Sequence, residues 1–494
     1  MPQKKKISVL FVGAELAPLV KVGGLGDVIG ALPKALAKTG VDVKIIIPFY
    51  GSINTNEYKT IKISQHLMVK SAGAKEHFSL YQTILPDSKI PVYLVKHRLF
   101  NSPNIYFGSR KYLSNGAYTR TYIDVERFTI FSQAVAEVIY AKHWPIDIVH
   151  CHDWHTALLP TYIDEYSIKH QDFPNIKTLF TIHNLANQGV APLDILDYAS
   201  LHHDLTPALM EDYYDRDGNV LDFMKIGILS ADYINTVSPS YAKEILTKEY
   251  GEDLEVYLQR RRKHLLGILN GIDIDLFDPK KDKYIYKKYS KDQALPGKQF
   301  NKSRLQARLK LPVRDLPLFG IVTRLVDQKG FDILLPAIEK MLSKKDWQLL
   351  ILGTGQKIIE EKIKSLAKKH PEQMAAVIGF DLGLAQNIYA ATDFFLMPSR
   401  FEPCGLGQMI AMRYGSLPIV RATGGLKDTV KHRRNGLVFK KHNAADLQRA
   451  LYQAKKLYQN KKQMSQMMGS AMSIDWSWRK SAVSYMELYQ KLLK

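Results

Sequence analysis

At 494 residues with 46% hydrophobic content, the chain is too long for one ordinary core and carries enough apolar residues for two domains of similar size. It has no run of about 18 uncharged apolar residues, which excludes a transmembrane segment, and Met1-Pro2-Gln3-Lys4-Lys5-Lys6 leads straight into a strand-like run rather than an export signal, the pattern of a soluble, cytoplasmic protein. The balance of 69 Lys and Arg against 48 Asp and Glu gives +21, yet clusters such as Arg260-Arg261-Arg262-Lys263 and Lys461-Lys462 are scattered and carry no nucleic-acid-binding signature, so no specific nucleic acid is expected and the charge is read as solvated surface.

The first strand is predicted over Ile7-Ser8-Val9-Leu10-Phe11-Val12, a short β-branched run. It is followed by Lys21-Val22-Gly23-Gly24-Leu25-Gly26-Asp27-Val28, which opens a helix-like stretch. Glycines here permit close approach of a ligand to the backbone, a helix N-terminus favours anions, and Lys21 adds a compact positive charge suited to a diphosphate. The segment is not a dinucleotide fingerprint, because the third glycine falls at Gly30, one residue too late, and no glycine-rich stretch ends in Gly-Lys followed by Ser or Thr.

Further apolar runs are predicted as strands at 43–47, 92–95, 146–149, 178–182 and 233–237. After 266–269 the series restarts with 318–322, 349–352, 376–378, 394–397 and 417–420. Amphipathic stretches separate them, as expected of mainly parallel sheets covered by helices. The expectation is an α/β chain of two doubly wound domains, 1–263 and 264–474, with the seam near the basic stretch 260–264. The lysine- and tyrosine-rich loop 280–298 is assigned to the second. A last segment, 475–494, is predicted as a helix that packs back across the domains and buries Trp478, Ala482, Tyr485, Tyr489 and Leu492 against a domain surface.

Ligands of such folds bind beyond the carboxyl ends of the strands. The run at 146–149 leads into His150-Cys151-His152-Asp153-Trp154-His155, and the run at 178–182 into His183-Asn184-Leu185-Ala186. A metal site in the first cluster is set aside because no Cys or Glu ligand at metal spacing accompanies it. Cys151 and Cys404 are the only cysteines, far apart, and are read as reduced thiols. In the second half, Thr323-Arg324 and Gln328-Lys329-Gly330 place two cations on one loop, Ser399 to Gln408 carries Glu402, and Thr423-Gly424-Gly425-Leu426 precedes a helix. Together these give a cleft with cations for a leaving diphosphate and polar groups for a hydroxylated substrate.

At this point the sequence resembles glycogen and starch synthases of the bacterial and plastid type. The resemblance rests on Lys-Val-Gly-Gly-Leu-Gly-Asp-Val at 21–28, His-Asp-Trp-His at 152–155, Thr-Ile-His-Asn-Leu-Ala at 181–186 and Val-Ser-Pro at 237–239. It continues with Leu-Asn-Gly-Ile-Asp at 269–273, Arg-Leu-Val-Asp-Gln-Lys-Gly at 324–330, Ser-Arg-Phe-Glu-Pro-Cys-Gly-Leu at 399–406, Thr-Gly-Gly-Leu at 423–426 and Trp-Ser-Trp at 476–478. It implies two Rossmann-like domains facing a cleft (GT-B type), transfer of glucose from ADP-glucose to the nonreducing end of an α-1,4-glucan with retained configuration, and neither cofactor nor metal.

By the same resemblance, Lys21, Gly23, Gly24 and Asp27 lie at the sugar nucleotide, and His183 and Asn184 at the sugar. Arg324 and Lys329 neutralise the departing diphosphate, and Glu402 contacts glucose hydroxyls or supports the developing oxocarbenium charge. Asp153 and Asn270 line the cleft with Cys404, Gly405 and Leu406, while Thr423, Gly424 and Gly425 hold phosphate. Two departures stand out: the acidic residue expected eight positions after Glu402 is Ile410, so a paired-carboxylate mechanism is not supported, and the family's Asp-Asn before a short Arg-Phe segment reads Ile123-Asp124-Val125-Glu126-Arg127-Phe128. A UDP-glucose donor, a small-sugar or phosphate acceptor, and a catalytically silent glucan binder are the competing readings.

Overall fold

The computed structural model describes residues 6–107, 123–192, 194–201 and 220–494; the basic segment 1–5 weighed above lies outside them. The chain forms two compact units, one from Met1–Val237, Ala242–Ile268 and Trp478–Lys494, the other from Ser238–Tyr241 and Leu269–Ser477. Among the described residues no helix is long and apolar enough to cross a membrane.

The first unit is built on β1 (Ser8–Val12), β2 (Asp42–Pro48), β3 (Ile61–Ser71), β4 (Ala74–Ile84), β5 (Pro91–Lys96), β6 (Ile148–His152), β7 (Lys177–Ile182), the short pair β8 (Val190–Pro192) and β9 (Val220–Asp222), β10 (Tyr233–Thr236) and β11 (Leu265–Gly267). Its sheet has the order β11-β10-β7-β6-β1-β2-β5-β4-β3. From β11 to β5 the pairing is parallel, with Phe11 opposite Ile45 on one side and His150 on the other. β1 is buried at every residue, as a strand covered by helices on both faces requires.

The antiparallel hairpin β3–β4 was not predicted. Its strands mix exposed and half-buried polar residues, so no continuous apolar run marks them, and its two-residue turn places Ala72 and Gly73 at φ 47° and 76°, the twist a tight hairpin favours. The restart of the strand series also shifts: 265–267 completes the first sheet beside β10, pairing Leu265 with Ile234, so the chain leaves the first unit at Ile268 rather than at 263.

The final helix, Trp478–Leu492, buries the expected stripe of Trp478, Ala482, Tyr485, Tyr489 and Leu492 within the first unit. Two of its hydroxyls reach the sheet. Asn235 Nδ2 donates to Tyr485 Oη at 2.9 Å, and Tyr489 Oη meets His150 Nδ1 at 2.9 Å. Thr181 Oγ1 joins these groups, 2.6 Å from His150 Nε2 and 2.5 Å from Asn235 Oδ1, so a polar chain crosses β6, β7 and β10.

The second unit's strands are β12 (Leu318–Val322), β13 (Gln348–Gly353), β14 (Met374–Ile378), β15 (Phe394–Met397), β16 (Leu417–Arg421) and β17 (Leu437–Phe439). All pair in parallel in the order β14-β13-β12-β15-β16-β17, which is the 3-2-1-4-5-6 arrangement of a Rossmann fold. In both sheets the strand order reverses beside the first strand, between β1 and β6 and between β12 and β15. The predicted site residues lie on loops beyond the strand ends: those after β1, β6, β7 and β11 in the first sheet, and those after β12, β15 and β16 in the second.

Candidate active site

In the first unit the loop after β1 folds around Glu15, a buried carboxylate that the sequence reading passed over. Its Oε2 accepts from the amides of Val22 at 2.8 Å and Gly23 at 2.9 Å, and its Oε1 accepts from Tyr106 Oη at 2.7 Å. The Gly23 amide expected for an anion is therefore committed to Glu15. The helix Gly24–Ala37 begins directly after Gly23, which has extended backbone, so the glycines are not required there by conformation. A Cβ at Gly23 or Gly24 would meet nothing within 4 Å: these glycines leave open space over the helix N-terminus, which a side chain would partly fill. Lys21 Nζ lies 2.6 Å from Asp27 Oδ1, so this exposed cation has a carboxylate partner in the first turn of the helix that follows it.

The loop after β6 carries Asp153 at φ 56°, an uncommon conformation for a residue with a side chain. Asp153 Oδ1 accepts from the His183 amide at 2.7 Å and the Asn184 amide at 3.4 Å. Burial raises its pKa to about 7, against the two amides, which lower it. Asp153 thus fixes the backbone of His183 and Asn184. His183 Nε2 is 2.9 Å from His152 Nδ1. Burial lowers the pKa of His183 to about 3 and holds His150 and His152 well below the usual imidazole value, so the cluster is neutral at pH 7. Among the described residues no three His, Cys, Asp or Glu are grouped so as to hold a metal ion.

In the second unit the loop after β12 supplies the cations. Lys329 Nζ lies 2.7 Å from Glu402 Oε2, and both side chains are largely buried. Ser399 Oγ donates to the same oxygen at 2.9 Å. Arg324 is exposed and has no ion-pair partner among the described residues. Gly330, at φ 76°, lets this loop press on the end of β15, where a Cβ would sit 2.0 Å from the Pro398 carbonyl oxygen.

The Glu402 loop is fixed along its backbone to an unusual degree. Arg421 donates to the carbonyls of Ser399 and Arg400, and Gln328 Nε2 to that of Phe401. The Gly425 amide donates to Glu402, Ser238 Oγ to Pro403 at 2.6 Å, and Gln408 Nε2 to Cys404 and Gly405. Each carbonyl from Ser399 to Gly405 thus has a donor, which holds the Glu402 side chain on a rigid support. The Thr423-Gly424-Gly425 turn seals this arrangement: Gly424 has φ 42°, and a Cβ on it would sit 2.0 Å from the Glu402 carbonyl oxygen. The amides of Gly425, Leu426 and Lys427 all donate to protein carbonyls. Its glycines are therefore demanded by close packing, and those three amides are not free for phosphate.

Leu406 precedes the helix Gly407–Arg413, and the Asn270 amide donates to the buried Cys404 thiol, while Asn270 Oδ1 is buried without a partner among the described residues. Ile410 is buried in the helix after the Glu402 loop, so no second carboxylate stands there. Sequence reasoning also missed Phe380, 84% exposed just after β14. An aromatic ring presented to solvent beyond a strand's carboxyl end, where Rossmann folds take nucleotides, suits stacking on a base.

The sequence matches the starch synthase catalytic domain over residues 8–260 and the glycosyl transferases group 1 over residues 305–469. It is 41% identical to the glycogen synthase of Thermosipho africanus and 41% identical to that of Thermotoga maritima, covering 99% of this chain and 99% of each relative. The catalytic domain of starch synthase IV from Arabidopsis thaliana, solved with ADP and acarbose, superposes with a TM-score of 0.89 at 32% identity, covering 99% of this chain and 100% of that one. A sucrose-phosphate synthase from Thermosynechococcus elongatus, at TM-score 0.59 and 18% identity, shares the fold.

Proposed function

The chain belongs to the glycogen and starch synthase family of glycosyltransferases, and on that premise we propose that it transfers glucose from ADP-glucose to the nonreducing end of an α-1,4-glucan, with retained configuration, in the cytoplasm. The observation that carries this reading is the pairing of Lys329 with Glu402 on loops that also carry the exposed Arg324, which has no ion-pair partner among the described residues, where the second sheet's strand order reverses. The ADP complex of the Arabidopsis starch synthase supports the choice of donor.

In this mechanism Arg324 and one free N–H of the Lys329 ammonium stabilise the diphosphate as the bond from its oxygen to the glucose C1 breaks. The acceptor's 4-hydroxyl oxygen forms the new bond to C1 on the face the diphosphate leaves, and its proton passes to the departing phosphate oxygen. Glu402 supports the positive charge that develops at the sugar; with Ile410 eight residues on, no second carboxylate is assigned as nucleophile. Neutral His183, held by Asp153 at its amide, faces the sugar, and Lys21 with the open glycine turn contacts the donor. Phe380 stacks on the adenine.

Two outcomes follow. Lys21→Ala is expected to lower kcat/KM for the donor by about tenfold or more, the scale of one charge-assisted contact, checked by initial-rate kinetics with glycogen in excess. Phe380→Ala should raise the donor KM by about tenfold, the lower range of base–aromatic stacking, with kcat nearly unchanged; an equal effect on free glucan binding would remove the stacking role. The reading as a whole is tested by offering labelled ADP-glucose and, separately, UDP-glucose with glycogen and digesting the product with an α-1,4-specific amylase. Label incorporated from ADP-glucose and released by amylase supports it; incorporation only from UDP-glucose changes the donor, and none from either favours a silent glucan binder.

A further inference from the structure

His152 lies beneath His183, fully buried, with its ring stacked on His150 at 4.2 Å and on Phe11 at 5.4 Å between centroids. Its Nδ1 is 2.9 Å from His183 Nε2, while its own Nε2 is buried with no partner among the described residues. Both rings are neutral, so each carries one proton, and their contact needs one donor and one acceptor. If His183 donated, the proton of His152 would sit on Nε2 as a buried N–H without an acceptor, a rare and costly state. If His152 donates from Nδ1, its Nε2 is a bare ring nitrogen and no buried N–H is stranded. His150 offers no competing partner, because both its nitrogens are engaged by Tyr489 and Thr181.

We infer that His152 is a positioning residue that sets the tautomer of His183, donating from its Nδ1 to His183 Nε2 so that His183 carries its own proton on Nδ1. The nitrogen of the half-buried His183 that faces away from His152 then carries its N–H and recognises an oxygen acceptor rather than a donor. The inference deepens the role proposed for His183 at the sugar and rests on that reading for its functional consequence, though not for the tautomer itself.

The test is long-range proton–nitrogen NMR on the full chain labelled with 15N-histidine, with His152 and His183 assigned by single replacement. The expected spectrum shows protonated Nδ1 on both residues and unprotonated Nε2 on His183. His152→Leu should shift His183 toward the other tautomer and lower kcat by about tenfold, the scale of one lost oriented hydrogen bond. His152→Asn, which keeps an N–H donor near the Nδ1 position, should restore the His183 pattern and most of that loss. A wild-type His183 protonated on Nε2 overturns the inference, as does a folded His152→Leu variant whose His183 signals are unchanged. Because the spectrum needs no turnover, absence of glucosyl transfer would count against the proposed function while leaving the tautomer assignment to be decided on its own.

Discussion

Replacing Glu402 by alanine or glutamine is expected to reduce glucosyl transfer by about 10²–10³-fold, the range for loss of one preorganised charge at a reaction centre. The carboxylate is buried and held by Lys329 at 2.7 Å and Ser399 at 2.9 Å, on a loop whose carbonyls are all engaged from Ser399 to Gly405. The Glu402 side chain is therefore held in one place by those bonds, and no neighbouring group is free to substitute for it without breaking them. Glutamine keeps the shape and removes the charge, leaving the Lys329 ammonium without its counter-ion; a stability loss of about 3 kcal/mol accompanies the kinetic one. Saturating-donor kcat and denaturant unfolding measured on Glu402→Gln and Glu402→Asp separate the two effects. A glutamine variant within tenfold of wild type would show that this carboxylate does not stabilise the transition state.

A single methyl group at Gly424 is expected to be nearly as damaging. Gly424→Ala adds left-handed strain at φ 42° to a Cβ placed 2.0 Å from the Glu402 carbonyl oxygen, so either the turn or the Glu402 loop must move. Strain and overpacking together amount to about 2–5 kcal/mol, and the protein that remains folded should lose at least tenfold in kcat, because the displaced backbone carries Glu402. Gly73→Ala is the control: at φ 76° it carries similar strain but meets nothing within 4 Å, so about 1 kcal/mol and no loss of kcat are expected. Equal behaviour of the two variants would refute the packing argument.

The strands that were legible in the sequence are those buried on both faces, such as β1 and β13, because burial on both sides writes a continuous apolar run. The β3–β4 hairpin was hidden by polar residues on its exposed faces, and β11 was assigned to the wrong unit because a three-residue edge strand carries no signal of which sheet it joins. Candidate site residues stood out where motif and strand end coincide, as at Lys329 and Glu402, which the structure brings together. Glu15 and Arg421 did not, and Ser238 was seen only as part of a motif: each acts by bonding to backbone atoms of another part of its loop or of another loop, and no local pattern announces such a partner. The glycines at 424 and 425 were seen, but the close backbone approach to the Glu402 loop that also demands them was not, since approach to another loop and to a phosphate require the same residue type.

The return of Trp478–Lys494 to the first unit sets an order of events during synthesis on the ribosome. His150 and Asn235 are translated early, yet the hydroxyls of Tyr489 and Tyr485 that they bond emerge only after the whole second unit has been made. Until then the nascent first unit exposes the face that the last helix will cover, including polar groups meant for burial, and so offers a surface that holding chaperones recognise. A message broken or terminated ahead of Trp478 would leave a product caught in that state, marked for proteolysis although the second unit is intact.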